Sequence, residues 1–77
     1  MNEQSEDIKA LLLRTDEEYQ QLATQHHDLE SRLHMLTEKH YLSEPEQVEE
    51  VTLKKRKLQV KDRMETIVRQ HNEHAHH

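Results

Sequence analysis

The sequence predicts an all-α fold: two helices closed into an antiparallel coiled-coil hairpin that self-associates. Three observations carry this. The 77 residues contain no Gly and a single Pro, and the primed turns of β-hairpins depend on Gly. Apolar residues recur in alternating steps of four and three over most of the chain, the signature of a heptad seam. The lone proline, Pro45, falls between two such runs, where it breaks a straight helix.

Composition sets limits. Charged residues make up 35% and apolar ones 31%, a balance shared with disordered chains, so order must come from spacing rather than number. Without Cys there is no disulfide staple, and a core this small calls for outside support, which favours self-association. Residues 1–44 carry 10 acidic and 4 basic side chains, whereas residues 45–77 carry 6 and 7. Such halves suit each other, or a charged partner. The longest apolar run, Ala10–Leu13, is far short of the ~18–20 residues of a membrane span. The opening MNEQSEDIK is acidic where a signal peptide is basic. A soluble, cytoplasmic protein with no membrane span is expected.

Residues 1–5 are polar and expected to fray. Ser5 is placed to cap a first helix, with Glu6 and Asp7 in its first turn. That helix is predicted over about 6–40. Its seam is Ile8, Leu12, Thr15, Tyr19, Leu22, His26, Leu29, Leu33, Leu36 and His40. A turn over 41–44 follows. Ser43 and Glu46 have the spacing of a capping box, Leu42 that of a staple residue, and Pro45 suits a first turn.

The second helix is predicted over about 44–70, and residues 71–77 as a disordered His-rich tail. Leu53, Lys57, Val60, Met64, Ile67 and His71 repeat the four-three step. A short link makes the helices antiparallel neighbours. Leu33 then faces Leu53, Leu22 faces Met64 and Tyr19 faces Ile67, while Lys57 lays its stem along the seam. Val51 and Leu58 fall nearly opposite Val60 on this helix, with Val48 to one side, and the three are the candidate partner face.

The pattern Leu22-x3-His26-x2-Leu29-x3-Leu33, followed by Val51-x-Leu53-Lys54-Lys55-x-Lys57-Leu58-x-Val60-Lys61-Asp62-x-Met64, resembles the YdcH-like family, small bacterial proteins of unknown function. The likeness covers about residues 19–68. It implies a short antiparallel coiled-coil hairpin and supplies no reaction, ligand or partner.

Chemistry is sparse. Lys54, Lys55, Arg56, Lys57, Lys61 and Arg63 form a candidate basic face, and phosphate contacts are one use for it. The net charge of −5 and the lack of interleaved aromatics weigh against that use. The plainer expectation is that these cations flank the seam and pair with acids of the first helix, Arg56 with Glu30 for example.

Eight histidines invite a metal reading. His34 lies four residues from both Glu30 and Glu38, and His71, His74, His76 and His77 crowd the end. Structural zinc needs about four organised ligands, and nothing organises this tail. No metal, other cofactor or catalytic residue is therefore expected. There is no Cys nucleophile, Gly-rich phosphate loop or nucleophile elbow, and two helices enclose no water-free pocket. The expected function is a small non-catalytic protein–protein interaction module, a homo-oligomer or the binder of another protein. The alternative is a nucleic-acid accessory protein using the basic face.

Overall fold

A computed structural model describes the backbone of residues 3–75 and the side chains of residues 6–73. The chain is all-helical among those residues, but in three helices rather than two. α1 spans Glu3–Thr15, α2 Glu17–Thr37 and α3 Glu44–Ala75. The particle measures 52 × 23 × 17 Å. The 32 residues of α3 span about 48 Å at ~1.5 Å each, so α3 runs its whole length.

The first expected helix is broken at Asp16. This residue takes an extended backbone (φ −108°, ψ 113°), and its carboxylate accepts the Tyr19 amide at 2.8 Å. That is an N-cap: Asp satisfies one of the free N–H groups at a helix start. Glu17 and Glu18 in the first turn of α2 add favourable charge at the positive end of the macrodipole. The carbonyls that α1 leaves free are also met. The Asp16 amide donates to Leu12 O, Thr15 Oγ1 donates to Leu11 O, and Gln20 Nε2 reaches back to Leu13 O. The heptad reading passed through Thr15 as a seam residue, yet Thr15 is exposed and spends its hydroxyl on backbone. Ser5 lies inside α1 and so does not cap it. Of residues 1–5, three are helical; Met1 and Asn2 lie outside the described residues.

α1 packs on both α2 and α3. Leu12, Tyr19 and Ile67, one from each helix, form a buried cluster with Ile8, Leu22, Met64 and Val68 packed around it. Leu33 and Leu36 are buried further along α2, Leu36 completely. Elsewhere the seam is half-buried, including Leu29, Leu53, Val60 and Lys57; His40, at its expected end, is exposed.

α2 ends at Thr37 rather than near His40, and residues 38–43 make the connection without any positive φ. The Ser43–Glu46 capping box forms reciprocally. The Ser43 amide donates to Glu46 Oε1 at 3.0 Å, and the Glu46 amide to Ser43 Oγ at 3.4 Å. Leu42 does not find an apolar staple partner one turn into the helix. Gln47 is there instead, and its side-chain amide donates to Leu42 O at 3.1 Å. α3 then continues to Ala75, so the tail expected to be disordered from residue 71 is helical that far. Of residues 71–75 only Glu73 and Ala75 are strong helix formers, but no Gly or Pro stops the helix that runs into them.

Substitutions at two positions test the cap and the core. Asp16→Ala is expected to cost about 1 kcal/mol, whereas Asp16→Asn, which keeps a short polar cap, is near neutral. Leu36→Ala leaves a hole in a fully buried site and is expected to cost about 2–5 kcal/mol. Urea melts of the three variants check both; equal loss from Asp16→Ala and Asp16→Asn would refute the cap.

Candidate functional site

Two ion pairs join α2 and α3 along one edge of the seam. Arg63 meets Glu18 with Nε and Nη2 at 2.8 and 3.0 Å. Arg32 meets Glu49 in the same two-pronged way at 2.8 and 2.9 Å. The planar guanidinium matches a carboxylate's two oxygens, which fixes register as well as proximity. The Arg63 hydrogen bonds hold Glu18 below the usual carboxylate range, and those of Arg32 do the same for Glu49. Both pairs link early α2 to late α3 or late α2 to early α3, so the two helices run in opposite directions.

The basic face behaves differently from expectation. Of Lys54, Lys55, Arg56, Lys57, Lys61 and Arg63, only Arg63 makes an ion pair among the described residues. Arg56 does not pair with Glu30. Glu30 instead lies 3.5 Å from His26 one turn earlier, and Arg56 lines an open groove of about 460 Å³ with Asp28 and Leu29. The physical reason is angular. At ~100° per residue, six cations within ten positions spread around α3, and only one of them points at an acid across the seam. Lys57 is half-buried and the other four are exposed.

The candidate partner face lies open. Val48, Val51 and Leu58 are 67%, 56% and 59% exposed. Val51 and Leu58 lie on the side of α3 opposite Val60 and Ile67, which face the other helices, and Val48 stands to one side of them. Leu13 and Met35 are also exposed, but on other helices.

The described histidines do not converge. His26 sits beside Glu30, and His34 Nε2 is 3.4 Å from Glu38. No group of three or more metal-ligating side chains gathers among the described residues, and the side chains of His74, His76 and His77 lie outside them. No described helix is long and apolar enough to cross a membrane.

Sequence reasoning missed Arg32, Glu49 and Glu18 as the register-setting charges. A heptad reading locates a seam but does not say which flanking acid meets which flanking base. It also missed Lys39, which joins Glu46 across the turn. That contact and the Ser43 hydrogen bonds lower the Glu46 carboxyl to about 2.

A family model described as "Protein of unknown function (DUF465)" matches residues 19–68, the stretch from Tyr19 in the first turn of α2 to Val68 in α3. Nothing among the curated proteins or the solved structures matches the chain.

The depressed Glu46 carboxyl gives a directional prediction. Its ionised form is favoured by folding, so its contribution is present above the ordinary value of 4.5 and lost as pH falls toward about 2. A carbon-detected NMR titration should place the Glu46 midpoint near 2, and Lys39→Gln should move it upward. A midpoint at the ordinary value in the unsubstituted chain would contradict the contact.

Proposed function

The chain belongs to the YdcH-like family, DUF465, whose function is unknown, and from that premise we propose that it is a non-catalytic helical module for protein–protein contact. The working unit in this reading is the antiparallel pair α2 and α3, the part that the family covers. One observation carries the reading: the exposed apolar stripe of Val48, Val51 and Leu58 on the outward side of α3. Single exposed apolars are ordinary, but several on one face mark a contact surface. The thin core supports it. Five apolar side chains are buried among the described residues, and a domain of this size gains from covering more surface. Self-association through α3 is the simplest use of the stripe.

A second reading rests on a different observation. Lys54, Lys55, Arg56 and Lys61 are exposed and make no ion pair among the described residues, which leaves them available to phosphates. Acidic Asp62 and Glu65 interrupt that surface and weaken the field. In this reading the module is a nucleic-acid accessory protein.

Leu58→Asp separates the two. Light scattering is expected to show an oligomer for the unsubstituted chain and a monomer for the variant, with helical circular dichroism retained. Retention of helix matters because Leu58 lies off the buried seam. A monomeric unsubstituted chain would remove the self-association part. For the second reading, a salt-sensitive gel shift of RNA or DNA that Leu58→Asp leaves intact would displace the first.

A further inference from the structure

The two edges of the α2–α3 seam are not alike. One is closed by Glu18–Arg63 and Arg32–Glu49. Lys61 lies two positions from Arg63, about 200° around α3, and so stands on the other edge. There a groove of about 450 Å³ runs between all three helices, within the size range of small-molecule sites. Its floor is apolar: Tyr19 from α2, with Met64 and Val68 from α3. Tyr19 is buried, and the other two are half-buried and still reachable.

The rim is cationic. Lys9 from α1 and Lys61 and Arg69 from α3 line it, and none of them makes an ion pair among the described residues. Arg69 spends one guanidinium nitrogen on Thr66 Oγ1, at 3.3 Å. Glu65 and His26 also line the groove, and burial, with the charge of nearby Glu6 added, raises the Tyr19 phenol. Even with both acids counted, the cations outnumber them, in a chain whose net charge is −5. The cross-helix guanidiniums of the opposite edge are neutralised; the cations of this one are not.

We infer that this groove is a binding site for a single-chain amphipathic anion, its apolar body along Tyr19, Met64 and Val68 and its acidic head among Lys9, Lys61 and Arg69. A small inorganic anion leaves the apolar floor unused, whereas a neutral chain leaves the rim unused. Met64 suits a floor of this kind, because its flexible thioether adapts to varied apolar shapes. The inference does not depend on the contact function proposed above, which uses Val48, Val51 and Leu58, none of which lines this groove.

The test uses the full chain and decanoate kept below its micellar concentration, followed by ¹⁵N NMR at low salt. Saturable one-to-one shifts centred on Tyr19, Met64 and Val68 are expected. Lys61→Gln with Arg69→Gln is expected to weaken binding about tenfold, the loss of charge-assisted contacts worth ~1.4 kcal/mol. The matched pair Lys55→Gln with Arg56→Gln removes the same charge away from the groove and is expected to leave affinity within about twofold. All four positions are exposed and Gln is a good helix former, so circular dichroism should stay unchanged. Four results would overturn the site: no saturation; equal weakening by both pairs; shifts centred on Val48, Val51 and Leu58; or binding to phosphatidylglycerol vesicles with no response to monomeric decanoate.

Discussion

The structure turns on the junction of Asp16 and Tyr19. Asp16 leaves helical geometry for one residue and holds the Tyr19 amide with its carboxylate. Tyr19 then joins Leu12 of α1 and Ile67 of α3 in one buried cluster. A polar bond at the backbone thus fixes where an apolar cluster can form. Without the break, a single straight helix would carry Ile8 and Leu12 along one line with Leu22. With it, α1 lies on both other helices, and the bundle gains a third layer at the end where a two-helix pair is thinnest. Burial of Leu12, Tyr19 and Ile67 supplies the driving force; the cap decides the direction in which it acts.

Charge is sorted around this frame in three ways. One seam edge is locked by paired guanidiniums, which set register between α2 and α3. The other edge keeps its cations open over an apolar floor. The outer side of α3 carries Val48, Val51 and Leu58 among lysines. A 32-residue helix with six cations in ten positions cannot neutralise them all on one partner. The surplus, Lys57 apart, stays exposed to solvent. Exposed pairs contribute little energy each, so the pairing serves alignment while the apolar cluster supplies stability.

Much of this could be read from residue order. The four-three spacing identified the seam, and Leu12, Tyr19, Leu33, Leu36 and Ile67 along it are the buried residues. Ser43, Glu46 and Pro45 marked the start of α3, because capping is local chemistry within four residues. The LKKRKLQVKDRM block pointed to the family. The break at Asp16 was also written locally, as Asp followed by two Glu at a helix start, but the heptad ran through it unbroken and Thr15 passed as a seam residue. Periodicity is blind to a one-residue break in the backbone when the apolar residues on either side keep their four-three spacing in the sequence.

What residue order settled is the helical class, the start of α3 and the identity of the apolar positions, since each depends on neighbours within a turn or two. What only the assembled helices set is which charges meet. Arg63 finds Glu18 rather than a nearer acid, Arg56 misses Glu30, and Lys9 comes to share a groove with Lys61 and Arg69. Those distances follow from the angle at which α1 leaves Asp16 and from the rotation of α3 about its axis. Both are fixed by packing between residues 45 or more positions apart, such as Tyr19 and Ile67, beyond the reach of any local pattern.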